Sequence, residues 1–168
     1  MNVFDKSKLE HIAFPLERNC FGCSPTNPIS LKLEFYRQPQ GNKVYSFFTP
    51  TEKYVSWGNI THGGISATVL DEMSAWVVIM TKKLMCVTSS FELKYHAPLL
   101  INKEYIITGE IAFEKGRTID VAAEIIDDTG KQYVTSTAKL ITLSHTRAKS
   151  MQIMSEPDFD ALLEFLNG

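Results

Sequence analysis

Residues 62–83 read HGGISATVLDEMSAWVVIMTKK, and this stretch decides the fold. After His62-Gly63-Gly64 it contains no proline and no further glycine. It is apolar on more than one side, which predicts a long helix largely buried in a core. Ser66, Ala67, Thr68, Ser74 and Ala75 are small, so the helix can lie close against a curved sheet. Downstream, residues 85–96, 104–113, 118–126 and 131–143 read as strands. The turns Glu114-Lys115-Gly116-Arg117 and Asp127-Asp128-Thr129-Gly130 are short and predict an antiparallel meander. Upstream, LKLEF at 31–35 alternates apolar and charged as a half-buried strand does. A second strand is expected at 43–49, after Gln40-Gly41-Asn42. A single long helix among strands excludes a doubly wound parallel sheet. The expected fold is α+β, an antiparallel sheet wrapped around one central helix.

The ends differ from this middle. Residues 1–30 are punctuated by Pro15, Gly22, Pro25 and Pro28 and read as a short helix followed by an irregular segment packed on the domain. The domain proper is expected at 31–145. Residues 146–168 form a tail in which Phe159, Leu162, Leu163 and Leu166 recur at helical spacing. That pattern predicts a short amphipathic helix, docked on the domain or on a partner subunit.

The chain has 168 residues, of which 44% are hydrophobic and 21% charged, enough for one domain with a real core. Lys and Arg number 17 against 19 Asp and Glu, with no basic run, which argues against nucleic acid as a partner. No apolar stretch reads as a bilayer span, and the N-terminus lacks an apolar signal core. The expectation is a cytoplasmic protein without a membrane partner. Three cysteines, an odd number, do not read as a disulfide scaffold.

Two features of the long helix bear on chemistry. The first amides of a helix lack internal partners and carry partial positive charge. His62-Gly63-Gly64 therefore reads either as a helix terminus open to an anion or oxyanion, or as a tight turn that permits close packing. Asp71 and Glu72 sit among Val69, Leu70, Met73 and Trp76, where a carboxylate is costly unless partnered or functional. Adjacent helix positions point about 100° apart, so one of the two can lie on a solvated stripe. Thr68, Asp71 and Ala75 share one face; Ser66, Val69, Glu72 and Trp76 share another. At ~1.5 Å rise per residue, Gly63 and Asp71 are about 12 Å apart along the axis. They cannot both touch one carbonyl carbon, so joint action requires the acid of a second chain and an obligate two-fold dimer.

Other candidates read more plainly. Cys20 and Cys23 form a C-x-x-C that lacks two further zinc ligands, His11 and Cys86 being poorly spaced, and structural packing is the expectation, with no metal site. Ser66 lacks the second glycine of a nucleophile elbow and reads as a packing residue. Phe47, Trp57, Trp76 and Tyr95 could line an acyl tunnel, although aromatics in a small domain more often form core.

Taken together these residues resemble the PaaI-like branch of the hotdog-fold thioesterases. The resemblance rests on HGGISATVLDE at 62–72, FELKYHAP at 91–98, EKGRTIDVAAEI at 114–125 and CFGCSPTNPISLKLEF at 20–35. It spans residues 18–143. Ser30 and Asn59 stand where this family usually has glycine, and Asn tolerates left-handed backbone angles. The resemblance implies an acyl-coenzyme A thioesterase that needs no cofactor beyond its substrate. It implies that Asp71 is general base or nucleophile, that Gly63, with Gly64 beside it, polarises the carbonyl, and that Thr88 positions water. Glu72 and His62 complete the catalytic candidates, His62 reading either as a hydrogen-bonding brace of the loop or, preferably, as merely structural. Asn59, Ser89, Lys94, His96 and Arg117 are candidate substrate contacts, with an ordinary exposed sheet edge as the equal alternative for Lys94, His96 and Arg117. A homodimer is implied, with pairing of dimers into a homotetramer as a further option. The competing class is a non-catalytic module that binds acyl-coenzyme A or an acyl carrier protein; a hotdog dehydratase would need a histidine–acid motif not evident here.

Overall fold

A computed structural model of the chain describes residues 6–13, 19–153 and 155–167. Its seven strands are β1 (Glu10–Ile12), β2 (Phe35–Arg37), β3 (Val44–Phe48), β4 (Met85–Tyr95), β5 (Tyr105–Lys115), β6 (Thr118–Ile126) and β7 (Gln132–Leu143). The helices are α1 (Gly63–Lys82), α2 (His145–Ser150) and α3 (Glu156–Asn167). All strands belong to one antiparallel sheet in the order β1-β2-β3-β5-β6-β7-β4. The expected α+β arrangement, one sheet around one long helix, is the observed one. The expected meander is not complete. β5, β6 and β7 follow in turn, but β4 pairs with β7 and lies at the sheet's edge. β4 leaves α1 directly, so its place is set by where the helix ends rather than by a hairpin.

α1 packs against β3 through β7. Leu70, Met73, Val77 and Val78 are fully buried with Ile107, Ile119, Val121, Ile125 and Leu140. Burying each such side chain stabilises by about 1.5–3 kcal/mol. Gly109 on β5 makes the close approach possible: a Cβ there would lie 2.9 Å from both Met73 Cγ and Val77 Cγ2. By length and apolar composition α1 would suffice to cross a membrane, contrary to the sequence reading. Its buried face against the sheet identifies it as a core helix instead. The helix ends at Lys83, whose left-handed φ of 57° turns the chain into β4.

Strands at 43–49, 85–96, 104–113, 118–126 and 131–143 are found within one or two residues of expectation. The first thirty residues differ. Among the described residues the expected helix is a 3-10 turn at Lys6–Lys8, followed by β1, whose backbone pairs with β2. The strand expected at 31–35 begins only at Phe35. Leu31 and Leu33 are buried as the alternation requires. However, their amides donate to the carbonyls of Phe21 and Gly22, and Lys32 has φ 54°, which no continuous strand allows. Pro15 lies outside the described residues.

The C-terminal helix docks on its own domain. Leu162 packs with Ile79 and Met85, and Phe159 with Leu143 and Ala148. The side chain of Leu166 is outside the described set.

Candidate active site

His62 is the N-cap of α1. Its Nδ1 accepts from the Gly64 amide at 2.9 Å, so the ring serves the backbone. The tautomer follows: the proton sits on Nε2 while Nδ1 accepts. Gly64 is thereby satisfied, whereas the Gly63 amide has no acceptor among the described residues. Tyr95 reaches across from the end of β4 and donates its hydroxyl to Gly63 O at 3.0 Å. An open cleft of about 380 Å³ lies here, lined by Thr61, Gly63, Ser66, Tyr95, His96 and Pro98 among others. Trp57 and Tyr95 are surface residues rather than core, at 82% and 55% exposure. Trp76 is buried and stacks on Phe35 at 4.6 Å. The left-handed residue before the histidine is Gly58, not Asn59. Asn59 is exposed, and its carbonyl accepts from the Ile101 amide.

Two turns further along α1, Asp71 is half-buried and its Oδ1 accepts from the Thr88 hydroxyl at 2.7 Å. A bulge makes this contact compatible with the first one. Ser89 is the extra residue between Thr88 and Ser90 in the β4–β7 ladder, and its hydroxyl bonds Lys139 O. Side chains alternate faces along a strand, so one extra residue reverses which parity faces the helix. Before the bulge, Cys86 and Thr88 face α1, touching Ala75 O and Asp71. After it, Phe91, Leu93 and Tyr95 do. Burial, and then the charges of Asp71 and Glu72, push the Cys86 thiol up to about 12.

Glu72 turns to a different side of the helix from Asp71. Its Oε1 accepts from Trp76 Nε1 at 3.2 Å, and both oxygens lie against Cys20 Sγ at 3.6 and 3.7 Å. The structure therefore separates the adjacent carboxylates: Asp71 toward β4, Glu72 toward the N-terminal segment. A hydrogen bond with Cys23 lowers the Cys20 thiol to about 7 and raises that of Cys23.

The cationic candidates divide between two ends of β4. Lys94 pairs with Glu92 at 3.6 Å, and His96 Nε2 meets Thr135 Oγ1 at 2.8 Å, both beside the Gly63 end. The Arg117 carbonyl binds Thr142, which pairs with Cys86 at the other end. Nine residues of strand, about 30 Å, separate Cys86 from Tyr95. Within one chain Arg117 cannot join Lys94 and His96.

The candidate reactive groups are likewise split. An unfilled amide and cleft stand at one end of α1, and a carboxylate held by a hydroxyl stands about 12 Å away. β4, whose outer edge pairs with no strand among the described residues, runs between them. Of the sequence candidates, the structure brings Asp71 and Thr88 together and sets Gly63 at the cleft. Sequence reasoning missed that Tyr95 binds the Gly63 carbonyl and that Glu72 meets Cys20, contacts made across 32 and 52 residues.

A family model described as the thioesterase superfamily matches residues 58–134, from the loop before α1 into β7. An uncharacterized protein of Schizosaccharomyces pombe is 28% identical over 99 residues, 58% of this chain and 57% of that protein. A solved thioesterase superfamily protein aligns with TM-score 0.67 and 22% identity, covering 74% of this chain and 60% of its own. The chain thus spans under two thirds of both relatives. The Escherichia coli PaaI protein from the phenylacetic acid degradation operon aligns with TM-score 0.60 and 16% identity, over 68% of this chain and 81% of that one. A hypothetical thioesterase of Streptococcus pneumoniae, solved with coenzyme A, aligns with TM-score 0.60 and 19% identity, over 67% and 86%. The fold is the hotdog fold. The resemblance to PaaI-like hotdog thioesterases read from the motifs agrees with that fold and with the match across 58–134.

Proposed function

We propose that the protein is an acyl-coenzyme A thioesterase working as a homodimer in the cytoplasm. The observation that carries this reading is the split along α1: an unfilled Gly63 amide at one end and the Asp71–Thr88 pair at the other. A second chain related by a two-fold axis, with its β4 antiparallel to this one, would set the Thr88 end of one strand beside the Tyr95 end of the other. Each of two sites would then combine Gly63 of one chain with Asp71 of its partner. The same pairing would bring Arg117 of one chain toward Lys94 and His96 of the other, where the phosphates of coenzyme A could lie. The bound coenzyme A of the streptococcal relative supports this ligand class.

In the reaction the thioester carbonyl oxygen accepts from the Gly63 amide, where the helix terminus stabilises developing negative charge. The Asp71 carboxylate either takes a proton from water as the water attacks the carbonyl carbon, or attacks first and forms a mixed anhydride that water opens. In both routes the C–S bond breaks, and the products are the acid and the coenzyme A thiol. Thr88 holds the carboxylate in place. No step calls on a further cofactor.

The test is thiol release from short, long and aromatic acyl-coenzyme A esters, with Asp71→Asn and Glu72→Gln alongside the parent. Turnover by the parent and its loss in Asp71→Asn, with the oligomer intact, would support the reading. Loss in Glu72→Gln alone would move the base by one residue. Tight binding of one ester without any hydrolysis would leave a binding module in place of an enzyme.

A further inference from the structure

A second cluster of titratable groups sits on a different side of α1 from Asp71. One sulfur each from Cys20 and Cys23 and a carboxylate oxygen of Glu72 all lie within 4.8 Å of one another, and all three residues are half-buried. The distances from Cys20 Sγ to the two carboxylate oxygens are 3.6 and 3.7 Å. In a tetrahedral zinc site, with Zn–S about 2.3 Å and Zn–O about 2.0 Å, the sulfur–oxygen edge is about 3.5 Å. The Cys20–Glu72 edge therefore has the length such a tetrahedron requires, and the Cys23 sulfur lies within 4.8 Å of both its ends. Cys20 and Cys23 also have the two-residue spacing common in structural zinc sites.

The surroundings favour the same reading. The Gly22 amide donates to Cys20 Sγ at 3.3 Å, and the Ser24 amide closes the turn on Cys20 O at 3.3 Å. An N–H aimed at sulfur favours its anionic, metal-binding form. Glu72 is oriented by the indole of Trp76 at 3.2 Å, an outer contact of the kind that fixes a metal-binding carboxylate. Gly22 is shaped to the cluster: a Cβ there would lie 2.6 Å from Glu72 Cδ. The turn is anchored from behind by the Leu31 and Leu33 amides, which bond the carbonyls of Phe21 and Gly22. Two thiols and a carboxylate gathered this closely repel one another once ionised, and a divalent cation is the chemistry that relieves it.

We propose that Cys20, Cys23 and Glu72 bind one zinc ion, with water as fourth ligand, and that this ion clamps the N-terminal turn to the central helix. Binding releases the two thiol protons to solvent and involves no redox change. The sequence reading favoured packing here because it found no third ligand near the two cysteines. The helix supplies that ligand 49 residues after Cys23, a separation read directly from the numbering. The clamp does not depend on the hydrolase reading, since Glu72 and Asp71 leave α1 on different sides.

The experiment uses the full chain, purified reduced and stripped with a chelator, then titrated with zinc against a chromophoric chelator and separately with cobalt. One zinc per chain is expected, with a cobalt spectrum showing a thiolate charge-transfer band. Cys20→Ser and Cys23→Ser should abolish stoichiometric uptake. Gly22→Ala, which keeps all three ligands but displaces the carboxylate, should weaken binding by about 10–100-fold, the loss typical of a disturbed metal surround, and Glu72→Gln, which removes a ligand, should weaken it at least as much. Cys86→Ser should bind as the parent does. Circular dichroism of each variant separates lost binding from lost folding. Absence of stoichiometric zinc uptake by the folded parent would overturn the proposal. So would uptake that survives the double Cys20→Ser, Cys23→Ser change, or a cobalt spectrum without the thiolate band.

Discussion

The hydroxyl of Thr88 donates to Asp71 Oδ1 at 2.7 Å, tying the middle of the central helix to the strand that follows it. In the proposed reaction this carboxylate must meet a substrate atom and needs its rotamer held, which this contact does. Misplacement of a reacting group by about 1 Å can cost on the order of 100-fold in rate. Thr88→Val is therefore expected to lower kcat of the proposed hydrolysis by roughly 10- to 100-fold, with a small change in KM, while Thr88→Ser retains most of it. Steady-state thiol release checks this; equal losses in the valine and serine variants would contradict it.

The proposed division of the site between two chains can be tested by mixing. Gly63→Pro removes the amide while keeping a residue well suited to the first helical position, and a Cβ there meets Tyr95 at an ordinary 3.4–3.5 Å. Gly63→Pro and Asp71→Asn should each be inactive alone. After unfolding and refolding together, half the dimers are mixed and carry one intact site, which restores about a quarter of the parent activity. A site built within one chain would show no recovery.

His62 caps α1 through its Nδ1 bond to the Gly64 amide. His62→Ala leaves that amide without its side-chain acceptor and should lower stability by about 1 kcal/mol. His62→Asn, a strong N-cap, should recover most of the loss. Urea denaturation of the three proteins measures both differences.

Asp127 is buried at the turn between β6 and β7, where it accepts from the Thr129 hydroxyl at 2.6 Å and from Lys103 and Tyr133 at 2.9 Å. The Thr129 bond first, and then Lys103, hold its carboxyl well below the usual carboxylate range. A carboxyl so depressed contributes stability that is present above its unfolded value of about 3.9 and is lost as pH falls toward the folded value. Asp127→Asn should therefore be less stable than the parent at pH 7, by about 2 kcal/mol for a buried, partly unpaired turn. The gap should narrow below about pH 4. Urea midpoints across that range give the comparison; a gap that widens in acid would reverse the sign argued here.

Much of this architecture is legible along the chain because its signals are local. The apolar run of α1 without proline or further glycine after its HGG start, the alternation in β6 and β7, and the short Gly-containing turns each act over a few residues. So does the HGG step, which places an amide-rich helix terminus next to His62. The contrast between Asp71 and Glu72 was partly legible too, since neighbouring helix positions must diverge.

What the sequence by itself determined was a buried helix, the strands around it and the two faces that Asp71 and Glu72 occupy. These follow from backbone sterics and side-chain period. The tertiary structure decided which elements meet. Strand β4 joins β7 rather than β5 because it leaves α1 at the sheet's far edge. Ser89 adds one residue to that strand and reverses its parity, so that Thr88 and Tyr95, seven positions apart, both face the helix. Glu72 meets Cys20 only because residues 20–33 fold back over α1. A one-residue bulge and a contact across 52 residues have no period or spacing to announce them. They arise from how packed surfaces must close, which exists only once the chain has folded.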